Sequence, residues 1–291
     1  MALLLQSIIN GVLIGGAYSL IAVGTTIIFA VMKMINFASG AFLMLGMYGL
    51  WFGCQLFPNM NLYLNVPLAV LIVAVVGYLC FVTTMSPIMR KNPEAAVIVG
   101  MGLAYLLQNL VIMVFGAIPL SIDTPLKFSA LQIGELFIST PKFVAFCGSI
   151  ILSLLVAFLL NRTSFGRCMR ATSENTEISQ MLGINTKLVY AGAWTLGIAL
   201  MAIAGALLAP SYVIVNSVGN VFRNTAMVAV ILGGLGNIKG AFISGMMLGV
   251  IESLAGVYVT LDFGPAALYL LFLIVIQIKP LGLFGRGGRI A

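Results

Sequence analysis

Charge is what this sequence has least of. Fourteen Lys and Arg and seven Asp and Glu stand among 291 residues, so 7% are charged, against about 25% in an ordinary soluble domain. A soluble fold of this size needs a polar shell that so few charges cannot build. Soluble globular, disordered, coiled-coil and nucleic-acid-binding classes are excluded together. Histidine is absent, which removes the commonest metal ligand and general base. Cys54, Cys80, Cys147 and Cys168 are far apart and match neither a disulfide frame nor a metal site. HExxH, GxSxG and Walker A sequences are missing, and the acids form no obvious catalytic pair. Neither a cofactor nor a metal is expected.

What the chain does have is length without charge. No Asp, Glu, Lys or Arg occurs in residues 1–32, 34–89, 95–122, 143–161, 188–222, 224–238 or 263–278. Crossing a hydrocarbon core takes about 20 helical residues. Alternating polar-in strands, the signature of a membrane barrel, do not occur, and lipid admits only helices and closed barrels. The expected fold is all-α: one polytopic transmembrane bundle over residues 1–291, of about eight to ten spans, some of them broken. Spans are expected near 4–29, 37–56, 64–85, 95–117, 143–160, 188–209, 222–236, 240–259 and 263–278. With no basic segment ahead of it, the first run reads as a retained span. The net charge of +7 gathers in short clusters, Arg90/Lys91, Arg162/Arg167/Arg170 and Lys279/Arg286/Arg289. Such clusters read as cytoplasmic anchors at a lipid surface. That reading puts the N-terminus outside and the C-terminus inside. The 118–142 loop, with Asp123, Lys127, Glu135 and Lys142 in balance, then faces outward.

Three stretches stand out. The 161–187 loop carries Ala171, Ile178, Met181 and Leu182 at helical spacing. Thr172, Ser173 and Asn175 are N-cap candidates, Glu174 and Glu177 suit a helix N-terminus, and Gly183 suits a C-cap. A short amphipathic helix is expected there, either lying on the membrane or docking in a partner's groove. Two polar breaks interrupt apolar runs, Asn36-Phe37-Ala38-Ser39-Gly40 and Gly233-Gly234-Leu235-Gly236-Asn237. They serve either as close-packing sites or as a substrate path, where freed helix N-termini can bind a carboxylate. Gly11/Gly15, Gly49/Gly53, Gly236/Gly240 and Gly245/Gly249 have packing spacing. Glu252 lies inside an uncharged run; it reads as a functional acid or, preferably, as an ion-pair partner of Arg223. One internal echo, Ser39–Phe42 against Lys239–Phe242, hints at duplication.

Together these segments resemble the permease subunits of branched-chain amino-acid ABC importers. The resemblance covers nearly the whole chain. It rests on Asn10-Gly11 with Gly15-Gly16-Ala17-Tyr18, and on Ile35-Asn36-Phe37-Ala38 with Gly40. It continues through Gly166-Arg167-Cys168-Met169-Arg170-Ala171 to Leu182-Gly183-Ile184-Asn185, and Ala204-Gly205-Ala206 with Pro210. Leu232-Gly233-Gly234-Leu235-Gly236 and Pro280-Leu281-Gly282-Leu283-Phe284-Gly285 complete it. The resemblance implies a second homologous permease, two cytoplasmic ATPases and a periplasmic or extracellular substrate-binding protein. It makes Arg167, Arg170, Glu174, Glu177, Ile178, Met181, Leu182 and Gly183 the ATPase-coupling segment. Asn36, Phe37, Ser39, Gly40, Gly233, Gly234, Gly236 and Asn237 become the candidate substrate path. The chain departs from the family at Ser39, where His is frequent, and at Lys239, where Pro is. It also shortens the cytoplasmic segment at Pro87–Lys91. Those departures leave urea or short amides as alternative cargo. A self-sufficient transporter or channel, and a membrane enzyme using Glu252, are the rival classes.

Overall fold

The computed structural model describes residues 2–58, 60–91, 95–124, 129–133, 136–260 and 262–285. Lys127, Glu135, Arg286 and Arg289 lie outside the described residues. Among the described residues, six helices are long and apolar enough to cross a membrane: Ala2–Met32, Leu62–Met89, Ala95–Phe115, Thr140–Arg162, Thr186–Ser211 and Ile238–Tyr258. Three shorter apolar helices, Ser39–Leu56, Val218–Gly233 and Phe263–Ile278, fill the remaining expected positions. In chain order the helices are α1 (Ala2–Met32), α2 (Ser39–Leu56), α3 (Val66–Cys80), α4 (Ser86–Lys91), α5 (Ala95–Phe115), α6 (Thr140–Arg162), α7 (Ser164–Glu174), α8 (Thr176–Met181), α9 (Thr186–Leu208), α10 (Val218–Gly233), α11 (Ile238–Tyr258) and α12 (Phe263–Ile278). A π-helical turn, Phe81–Met85, joins α3 to α4.

Contacts at the helix ends fix their directions. One cleft gathers Ala30 and Val31 from the end of α1, Leu160 from the end of α6, Arg170 from α7, and Gly236–Gly240 at the start of α11. This is the basic end of the bundle. A second hollow adds Lys33, Met89 and Val97 to that end. At the opposite end a hairpin, β1 (Ala130–Ile133) and β2 (Leu136–Ser139), pairs antiparallel with Ala130 facing Ser139. The Gln6 side chain grips its outer strand: Nε2 donates to the Phe137 carbonyl at 2.6 Å, and Oε1 accepts the Phe137 N–H at 3.0 Å. This hairpin lies in the 118–142 stretch, which reads as a plain loop from sequence alone. Nine apolar helices thus alternate between the two ends among the described residues, starting at the hairpin end and finishing at the basic end.

Small residues let the central helices touch backbone to backbone. A Cβ on Gly11 would stand 2.6 Å from the Val250 Cα, and one on Gly245 2.6 Å from the Ser19 Cα. Gly11/Gly15 and Gly245/Gly249 therefore form the α1–α11 seam, as small-residue spacing suits in lipid. Ser19 Oγ ties the same seam, donating to Gly15 O at 2.8 Å and Phe242 O at 2.7 Å. Ser253 Oγ donates to Ser7 O at 2.8 Å nearer the hairpin end.

The chain also repeats itself at a second place. Gly16-Ala17-Tyr18-Ser19-Leu20 in α1 matches Gly192-Ala193-Trp194-Thr195-Leu196 in α9. Asn36 and Phe42 match Asn216 and Phe222 at the same spacing. The contacts follow the match: Tyr18 packs on Phe222 with ring centroids 6.0 Å apart, and Trp194 on Phe42 at 6.3 Å. α1 ends at the basic end whereas α9 begins there, so α1–α2 and α9–α10 form an inverted repeat. Gly24 meets Gly197, and Gly40 meets Gly219, where the two arms cross.

Candidate functional site

Two breaks define the interior. Lys33 adopts a left-handed φ of 55° and its N–H bonds to Phe29 O at 2.8 Å, which ends α1. Residues 34–38 then lead back into the bundle to start α2. The 3₁₀ turn Ala209–Ser211 ends α9, and residues 212–217 lead inward to α10. Ile214 on that strap pairs with Leu120 through two backbone bonds of 2.8 and 3.0 Å. From sequence alone the 210–221 stretch reads as an outward loop; it turns inward instead, and its informative signal is Asn216-Ser217 and Gly219-Asn220, polar residues without charge.

Consequently two helix N-termini meet inside the bundle. Gly53 of α2 packs on Asn65 ahead of α3, at the hairpin end, whereas Gly233 of α10 packs on Gly240 at the basic end. The helices run apart from their contact at Gly40 and Gly219, where a Cβ on either would collide with the other's carbonyl. With 16 residues, α10 is about 24 Å long, short of a full crossing. Neither N-cap residue, Ala38 or Ser217, supplies a side-chain cap. Asn36 is fully buried; its Oδ1 accepts the Ala38 N–H at 2.9 Å, and its Nδ2 has no partner. Ser39 Oγ is likewise buried without a partner. Phe37 N lies beside Gly100 of α5. Four candidate path residues, Asn36, Phe37, Ser39 and Gly40, therefore converge on this junction.

The other four candidates lie elsewhere. Gly233 closes α10, and Gly234 and Gly236 take φ of 88° and 86° in the tight turn to α11. Asn237 caps α11, its Oδ1 accepting the Gly240 N–H at 3.1 Å. Its Nδ2 donates to Phe284 O at 2.8 Å, and Leu283 N–H donates to Leu232 O at 2.7 Å. The glycine turn and the Pro280–Gly285 tail thus hold each other at the basic end. They edge an open cleft of about 770 Å³ shared with Arg170 and Ser173.

The expected amphipathic helix is two helices. Asn175 breaks the segment because its Oδ1 caps α8, accepting the Ile178 N–H at 3.0 Å. Thr163 Oγ1 caps α7 through Gly166 N–H at 3.1 Å. Gly183, at φ 80°, ends the pair. Arg170 Nη1 binds the Leu160 carbonyl at the C-terminus of α6, where a cation suits the helix dipole. On the other flank Phe165 packs into Gly192, Gln180 Nε2 donates to Thr186 Oγ1 at 3.0 Å, and Thr176 Oγ1 lies 3.2 Å from the Tyr190 hydroxyl. Arg167, Glu174 and Glu177 are exposed. The apolar side of α8 points outward: Met181 is 85% and Leu182 73% exposed, Ile178 is exposed too, and Ser179 is buried instead.

Glu252 is not paired with Arg223, contrary to expectation. It sits with Tyr18 and Tyr212, because α11 packs on α1 while Arg223 points across α10 toward α2. Arg223 instead binds Asn224 Oδ1 through Nε at 3.2 Å and Nη2 at 3.1 Å, and Phe37 O through Nη1 at 3.5 Å. The sequence reading had no role for it beyond that pair.

Comparison with known proteins agrees with this architecture. The family described as "Branched-chain amino acid transport system / permease component" matches residues 7–278. The high-affinity branched-chain amino acid transport system permease protein LivH of Salmonella typhimurium is 30% identical over 294 residues, covering 97% of this chain and 96% of that protein. LivH of Escherichia coli K12 is 30% identical over 296 residues with the same coverage. BraD of Pseudomonas aeruginosa, named for the same transport system, is 28% identical over 295 residues. No solved structure matches significantly. With apolar helices alternating between its two ends and a family match over nearly its whole length, the chain belongs to the permease components of branched-chain amino acid transport systems.

Proposed function

We propose that this chain forms one half of the membrane path of an ATP-driven importer that moves branched-chain or other hydrophobic amino acids into the cytoplasm. The observation that carries this reading is the α7–α8 elbow. It holds Met181 and Leu182 out from the basic end while Arg170 fastens it to α6 and Gln180 fastens it to α9. An exposed apolar knob on a rigidly held helix pair suits a groove on a motor subunit. The basic end is then cytoplasmic, and the N-terminus and hairpin lie outside, in a bacterial inner membrane. Hydrolysis belongs to two separate ATPases; this chain transports and is not itself an enzyme. A homologous second permease completes the path, and a periplasmic or extracellular binding protein delivers cargo to the hairpin end.

Motor closure pulls the elbow. Because the elbow is bonded to α6 and α9, those helices move with it. The crossed arms at Gly24–Gly197 and Gly40–Gly219 turn that motion into rocking of one arm against the other. A zwitterion with an apolar side chain needs few charges on its way, in keeping with Asn36, Ser39 and backbone groups at the junction.

The test is ATP-dependent uptake of labelled leucine, isoleucine and valine by cells carrying this chain with its partner subunits. Uptake lost with Leu182→Asp, together with loss of ATPase co-purification, is the expected result. Uptake of urea or a short amide in place of the amino acids replaces the cargo. Transport by the purified chain alone, without nucleotide, replaces the class.

A further inference from the structure

We propose that Arg223, at the crossing of the two half-helices, is the anchor for the carboxylate of the passing substrate. This rests on the transport reading above and names the group that this chain reads.

Four observations lead there. First, α2 and α10 direct two uncapped N-termini at one place, and aligned peptide dipoles make such a place attractive to an anion. Second, the junction already holds unused donors: Asn36 Nδ2, just ahead of α2, and Ser39 Oγ, in its first turn, are buried without partners. Asn36 Oδ1 is bound to the Ala38 N–H, so its amide is fixed against that turn. A buried amide left unpaired is destabilising, and a bound carboxylate would supply the missing partner. Third, Arg223 stands one turn into α10, its Cβ against Gly40 and its guanidinium at the Phe37 carbonyl. Every partner of that guanidinium among the described residues is neutral. An intramembrane cation without a countercharge marks a functional site, and a planar guanidinium suits bidentate carboxylate binding. Fourth, the surface around it carries polar groups where lipid would demand apolar ones throughout. Ser217, ahead of α10, and Asn224 are exposed on the same side as Val221, and the buried Gln108 of α5 donates to Asn220 Oδ1 at 3.1 Å. This face therefore fronts water and cargo.

Two variants of the assembled transporter test the proposal. Arg223→Gln should lower uptake of leucine about tenfold or more, the value of one charge-assisted contact. ATPase activity and assembly should remain, and Arg223→Lys should recover part of the rate. Independently, Val221→Cys should react with a charged, membrane-impermeant thiol reagent above the background of the four native cysteines, and substrate turnover should slow that reaction. Normal uptake by Arg223→Gln overturns the anchor while leaving the transport reading intact. A Val221→Cys thiol that resists labelling also overturns it, because the face is then packed against lipid or the second permease. Failure of the unaltered assembly to move any branched-chain amino acid counts against the transport reading instead, and the labelling result still decides whether the face is wet.

Discussion

Gly40 and Gly219 press backbone to backbone, each occupying the space a side chain on the other would need. This contact sets how closely the two half-helices approach, and hence where their N-termini come together.

Enlarging either glycine should disturb that crossing. Gly219→Val forces a side chain into a neighbouring carbonyl, an overpacking cost of about 1–3 kcal/mol. Thermal unfolding of the purified chain in detergent should shift down, and uptake should fall further than stability alone explains.

Trp194 donates from Nε1 to Gly77 O at 3.0 Å in a fully buried site, with Phe42 and Phe81 around its ring. Trp194→Phe keeps the aromatic contacts and removes one bond to a carbonyl that still accepts the Phe81 N–H, costing about 0.5–1.5 kcal/mol. Trp194→Ala removes both and should cost about 3–5 kcal/mol. Graded losses in thermal stability, Ala beyond Phe, are the expected outcome.

Arg170 and Met181 should fail in different ways. Met181→Asp removes the exposed knob without touching the fold, so the chain stays intact and ATPase co-purification drops. Arg170→Ala leaves the knob but frees the elbow from α6. Motor binding should persist, and substrate moved per ATP hydrolysed should fall. Equal loss of motor binding in both variants would contradict this division of labour.

Gln6 offers a check on the hairpin. Gln6→Ala breaks two hydrogen bonds to Phe137 that lie near the surface. At about 0.5–1.5 kcal/mol each they affect the hairpin and little else. Faster proteolysis of the 118–142 loop, with unchanged unfolding of the bundle, is the expected readout.

Much of the fold was legible in the sequence because lipid tolerates so few solutions. The charge-free runs all lie largely in helices, the longest of them in two, and the glycine pairs at Gly11/Gly15 and Gly245/Gly249 became the α1–α11 seam. The site was legible only in part. Asn36 to Gly40 declared themselves as polar residues amid apolar ones, and they do start a half-helix. The inward strap at 212–217 did not, since Pro210 followed by small polar residues also describes a surface loop. Arg223 and Glu252 drew each other in the sequence because both are ionisable and close in number. Helix packing separates them, and only coordinates carry that information. Asn175 was visible as a cap, yet nothing in its neighbours showed that a first helix, capped by Thr163, already ends there.

The exchange of the two arms has one further consequence. Turned end for end, α1–α2 and α9–α10 would trade places, so the crossed arms by themselves have no sense of import or export. Vectorial behaviour must come from parts outside the arms, among them the hairpin clasped by Gln6 on one rim and the Arg170-fastened elbow on the other. A variant that spared the arms but weakened those rims would keep a barrier that opens and closes, yet lose its one-way character.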